Sequence, residues 1–140
     1  MDTRKLASIG SLVLGALLII GGIGTWVVVS SMLGDQNITI PDDGCLAGQE
    51  VTGPFTAYCQ ATVIEDHALA ATDGLTYAEL DQEDPRRDMA MNASFLQASL
   101  FTSVVAFGIA AMAMGLGVLF LLIGLGIRDV KEQVEELQRA

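Results

Sequence analysis

Cys45, Cys59 and His67 are the side chains of this 140-residue sequence best suited to hold a soft metal or move a proton near neutral pH. A zinc site would need two further ligands, and the Cys-x13-Cys spacing follows no zinc pattern. In an oxidising compartment such a pair most simply forms a disulfide, closing a ring of about 15 residues and stabilising it by about 3 kcal/mol. His67 is the only histidine, so a His-based metal site or a Ser-His-Asp arrangement would have to be built around one residue. Its neighbours Glu65 and Asp66 point different ways around a helix, which favours a structural or pH-sensitive contact. The sequence has no glycine-rich loop in a P-loop or Rossmann context. The expectation is a chain with no catalytic, cofactor-binding or metal-binding residue, and not an enzyme.

The elements that must carry these residues are set by two apolar blocks. Hydrophobic residues make up 51% of the chain, and residues 6–33 and 93–127 contain no Lys, Arg, Asp or Glu. About 20 apolar residues suffice to cross the hydrocarbon core, so both blocks are long enough to span it. Arg4 and Lys5 before the first block also resemble the start of a cleaved secretory signal. The block is about twice the usual 7–15 residues of a signal, however, and its outer end, SSMLGDQ, lacks an A-x-A site; an uncleaved anchor is expected.

Basic residues give the orientation. Arg4 and Lys5 precede the first block, Arg128, Lys131 and Arg139 follow the second, and only Arg86 and Arg87 lie between them. The positive-inside bias puts residues 1–5 and 128–140 in the cytoplasm and residues 34–92 outside a plasma membrane. That loop holds twelve acids against two bases, a net of −10, whereas the two ends balance. No basic patch is available for nucleic acid. An acidic surface steers a basic partner such as a cationic electron carrier or cytochrome; a plain solvated face is the alternative.

Within the loop, NITIPDDG reads as a short extended segment ended by Pro41 and a turn. From Pro54 the pattern becomes helical to about Ala71, with Phe55, Tyr58, Thr62 and Leu69 near one face and Gly74 beyond the end. Thr76 and Glu79 in TYAE form a capping-box pattern that predicts another helix start. Asp84-Pro85 predicts the start of a final helix with no breaker up to Arg139. Its uncharged 35 residues would rise about 52 Å, against about 30 Å of hydrocarbon.

Small residues line both spans. Ala98, Thr102, Ala106 and Ala110 recur every four residues with Gly115 beside them, interrupted by Phe107, and the first span carries Ala7, Ser11 and Gly15. Small faces let backbones approach in lipid, where close packing must drive association. The two spans are expected to pair, leaving smooth surface for integral membrane subunits of another protein. In the tail, Ile127, Val130, Val134 and Leu137 make an a/d stripe, and Arg128–Glu132, Lys131–Glu135 and Glu135–Arg139 are i,i+4 pairs. Such an amphipathic tail suits docking on a partner helix or simple helix extension.

The stretch VIEDHALAATDGLTYAELDQEDPRR, followed by SFLQASLFTSVVAFGIAAMAMGLGVLF, resembles a family of small two-span actinobacterial membrane proteins often labelled "aromatic ring-opening dioxygenase". The resemblance covers about the C-terminal half, with TYAEL and SFLxASLFTxVVAFG as its specific part. It implies a two-span topology. The label fits poorly, since such a dioxygenase uses an iron site with more than one histidine.

The sequence therefore predicts an all-α membrane protein: a two-helix transmembrane hairpin, a small disulfide-tied, mostly helical extracytoplasmic loop domain, and an amphipathic cytoplasmic extension. Its expected role is that of a non-enzymatic accessory subunit of a larger plasma-membrane complex, such as a cytochrome-containing respiratory assembly. The alternative is an independent envelope sensor or regulator whose loop binds a ligand or ion.

Overall fold

The computed structural model describes residues 3–139, with side chains described for residues 3–130. It contains three helices: α1, Thr3–Gly34; α2, Pro54–Ala71; and α3, Arg87–Arg139. The three prolines fall at residues 41, 54 and 85; Pro54 opens α2, where its missing N–H costs nothing, and none lies in a helix interior, where the missing N–H and a ring clash would break it. Nothing else interrupts α1 or α3, so they run for 32 and 53 residues. Both are long and apolar enough to cross a membrane, with mean hydropathies of 2.5 and 2.4 over their most apolar 18 residues. Only 11% and 17% of their most apolar windows are buried, whereas the core helix of a water-soluble protein would be mostly covered. The apolar surface of these helices is available to lipid.

The chain forms two compact units. The first comprises residues 1–26 and 109–140, the second residues 27–108. In the first unit α1 and α3 run antiparallel along a seam of small residues. Ser8, Gly15 and Gly22 meet Gly124, Gly117 and Ala110 in that order, as close approaches and one hydrogen bond show. A Cβ added at Gly15 would lie 2.7 Å from the Gly117 carbonyl oxygen, and one at Gly22 would lie 2.7 Å from that of Ala110. The Ser8 hydroxyl, buried at the seam, donates to the Gly124 carbonyl at 2.8 Å. Each row advances by seven residues, the period that keeps one face toward a gently supercoiling neighbour.

In the second unit the loop is tied to α2. Cys45 and Cys59 form a disulfide with Cα atoms 5.4 Å apart. Thr39 and Glu50 make one isolated antiparallel bridge, and Ile40 and Val51 beside it are each 1% exposed. Gly44 fits tightly between Ile40 and α2, since an added Cβ would lie 2.6 Å from Ile40 Cγ2 and 2.8 Å from Val63 Cγ2. Among the described residues no strand forms; two ladder-like hydrogen bonds, Ile40 N–H to Gln49 and Val51 N–H to Ile38, hold the segment. α2 begins at Pro54, where the Thr56 hydroxyl accepts the Gly53 and Thr52 amides at 3.0 and 3.2 Å, satisfying donors at the helix entrance. It ends at Thr72, 1% exposed, followed by Asp73 and Gly74 at positive φ.

The buried residues of α2 are Ala57, Cys59, Ala61 and Val63; Phe55 and Tyr58 are exposed. Alanines admit close backbone approach, and the disulfide pins Cys59 inward. The TYAE motif makes its capping hydrogen bonds, Glu79 accepting from the Thr76 amide and hydroxyl at 2.8 Å, but closes a turn and not a helix. Pro85 disfavours helical backbone at the residue before it, and the short stretch left is below the length at which helix formation becomes favourable. Residues 35–53 and 72–86 are therefore mainly turns, and helix occupies less of the loop than the pattern predicts.

Candidate interaction surfaces

The two basic side chains of the loop are turned to internal use. The Arg86 guanidinium donates to both Asp84 carboxylate oxygens and to Asp73 at 2.8 Å, bridging the end of α2 to the start of α3. Asp84 also accepts the Arg86 amide at 2.8 Å. The Arg86 hydrogen bonds hold the Asp84 carboxyl below its ordinary value, and the two aspartates push Arg86 up. Arg87 lies 4.1 Å over the Tyr77 ring and donates to the Leu80 carbonyl.

Three more acids have polar partners. Asp43 meets His67 Nε2 at 2.5 Å, and that hydrogen bond, first among the causes, lowers the Asp43 carboxyl. Glu79 is lowered by the Thr76 amide and hydroxyl. Glu65 accepts from the Gln97 amide at 2.8 Å, joining α2 to α3. Seven acids remain: Asp35, Asp42, Glu50, Asp66, Asp81, Glu83 and Asp88. All are exposed, and none has a side-chain partner among the described residues. With both arginines engaged, this surface is anionic and can attract a cationic one over the Debye length. Among the described residues no three His, Cys, Asp or Glu side chains converge as metal ligands. His67 is instead the partner of Asp43 on a surface where both side chains are more than half exposed.

Aromatic rings also join α2 to α3. Tyr58 on α2 and Phe101 on α3 lie with ring centroids 6.0 Å apart and tilted by 59°. Phe55 and Phe95 are 78% and 66% exposed.

The small residues singled out by spacing are divided. Gly15 and Ala110 are buried in the α1–α3 seam, Ser11 and Ala106 are half-buried, and Ala7, Ala98, Thr102 and Gly115 are exposed. Phe107, the interruption in that run, is 1% exposed. The seven-residue rows through Ser8 and Gly124 escaped the four-residue reading, although both were written in the sequence. Thr102 and Ser103 return their hydroxyls to the carbonyls of Ala98 and Ser99 one turn back, so their polar groups are satisfied within the helix. In the tail, Val130 is 59% exposed. The side chains of Val134 and Leu137, and the pairs Arg128–Glu132, Lys131–Glu135 and Glu135–Arg139, lie outside the described residues.

Compared with protein-family models, with curated proteins and with solved structures, the chain matches none.

Proposed function

We propose that this chain is a non-enzymatic accessory subunit of a larger plasma-membrane complex, with α1 and α3 as a transmembrane hairpin and both termini in the cytoplasm. The observation that carries the proposal is the set of small residues left over from the seam. Ala98 and Thr102, one turn apart, share an exposed face of α3, and on another side of the helix Gly115 is exposed, with nothing within 4 Å of an added Cβ. Small faces of this kind are how helices approach one another in lipid, so they suit integral membrane subunits as neighbours. The seven unpartnered carboxylates of the loop suit a basic extracytoplasmic surface, and a cytochrome-containing respiratory assembly would present one. The resemblance to small two-span actinobacterial membrane proteins supports the topology and adds no reaction.

One feature favours the sensor or regulator reading. α3 is a single helix from Arg87 to Arg139, so the extracytoplasmic loop and the cytoplasmic tail are joined by one element along which a ligand-induced shift could be passed.

Purification of the tagged full chain from native membranes in mild detergent separates the two. The accessory role requires integral membrane partners at fixed stoichiometry. A lone monomer or homodimer would overturn it and leave the sensor.

A further inference from the structure

In the first unit, two cavities open where α1 begins and the uncharged part of α3 ends. One, about 390 Å³, is lined by Lys5, Ser8, Ile9, Leu12 and Arg128 together with Arg4 and Ile127. The other, about 670 Å³, shares Arg4 and Ile127 and is otherwise walled mainly by Ala7, Ile123, Gly126 and Val130. The first cavity is basic and the second aliphatic. Lys5 and Arg128 have no ion-pair partner among the described residues. Gly126 leaves the aliphatic wall open, since an added Cβ there would meet nothing within 4 Å.

We propose that these cavities together hold one anionic phospholipid, its headgroup phosphate between Lys5 and Arg128 and an acyl chain along the Ala7, Gly126 and Val130 wall. Lys5 and Arg128 flank the charge-free stretches of the two apolar helices, at the depth where a bilayer places its headgroups. Basic pockets between helices at that level complement lipid phosphates, and each cation near an anionic surface raises partitioning about fivefold. A choline headgroup would bring its own cation against Lys5 and Arg128, so an anionic lipid is selected over phosphatidylcholine. The aliphatic groove distinguishes a lipid from a soluble anion, because a free phosphate has nothing to place there. The proposal rests on α1 and α3 spanning the bilayer and is independent of any accessory role.

The test uses the full chain, reconstituted in vesicles of equal parts phosphatidylglycerol and phosphatidylcholine, extracted in neutral detergent and weighed by native mass spectrometry. The wild type is expected to retain phosphatidylglycerol over phosphatidylcholine. Lys5→Ala with Arg128→Ala should lower that preference about tenfold or more, and Lys5→Arg with Arg128→Lys should keep it. Gly126→Leu, which fills the groove without changing charge, should lower the amount of phosphatidylglycerol retained several-fold. Equal retention of the two lipids by the wild type would overturn the site. So would unchanged retention of phosphatidylglycerol in Gly126→Leu, which would mean diffuse surface attraction, or displacement of the lipid by millimolar inorganic phosphate. A chain that enters the vesicles without lipid preference loses this site alone; one that does not enter them loses the spanning reading as well.

Discussion

At Gly117 a single added carbon would lie 2.6 Å from Ile19 Cγ1 and 2.7 Å from the Gly15 carbonyl oxygen. The isoleucine can turn aside, but the carbonyl belongs to a helix held by its own hydrogen bonds. Gly117→Ala is therefore expected to lower the stability of the helix pair by about 1–3 kcal/mol. Gly115→Ala, two residues away with open space around it, should leave it unchanged. Thermal unfolding in detergent, followed by helix signal, compares the two. That small residues matter here was legible from composition. Which of them face the partner helix was not, because lipid offers no polar contrast to mark the outer side. A four-residue spacing drifts around the helix, whereas the seam keeps to seven, through Ser8, Gly15 and Gly22. Leu46 presents a different residue-scale problem: its φ of 62° is one that a branched side chain rarely adopts. Leu46→Gly should stabilise the loop by about 1 kcal/mol, read as slower amide exchange in residues 38–51.

At the scale of elements, the loop depends on one covalent tie and on ionic stitches. The Cys45–Cys59 disulfide closes a sequence separation of 14, and a loop of that size gains about 3 kcal/mol. Cys45→Ser with Cys59→Ser should release residues 38–51 from α2 in hydrogen exchange while α1 and α3 keep their protection. The second tie is Arg86, which holds Asp73 after α2 and Asp84 before α3. Asp84 is depressed by Arg86 in the folded chain, so folding stability from this contact is fully present above the ordinary carboxylate value of 3.8. It is lost as pH falls through the lowered folded value. Loop protection should therefore fall in acid below about pH 4, and Arg86→Ala should weaken the loop at neutral pH and remove that part of the acid dependence. The helix starts at Pro54 and near Asp84-Pro85 were legible because proline and its capping neighbours act locally. The fate of TYAE was not, since its local hydrogen bonds form whether or not a helix follows. The inward role of Arg86 was equally hidden, because Asp73 is brought to it only by the return of the chain between α2 and α3.

For the whole molecule, charge and apolarity are separated along the chain. Among the described residues, the twelve acids of residues 34–92 leave seven exposed carboxylates with no side-chain partner, while the two long helices expose most of their apolar surface. If the acidic surface meets a basic partner, association should weaken steadily as salt rises, because exposed charges are screened within about 8 Å at physiological ionic strength. Co-purified partner measured across a salt series checks this, and salt-independent association would assign the contact to the helices alone. The apolar blocks and charge asymmetry were fully legible, since each is a property of composition over tens of residues. A partner is not, because exposed small residues look alike whether they face lipid or protein.

The accessory role is tested most directly in intact cells, without detergent, by a photocrosslinking amino acid placed at Thr102 or Gly115, both exposed on α3. The account predicts a covalent adduct with a different integral membrane protein from one or both positions. Adducts only with lipid, or only between copies of this chain, would contradict it.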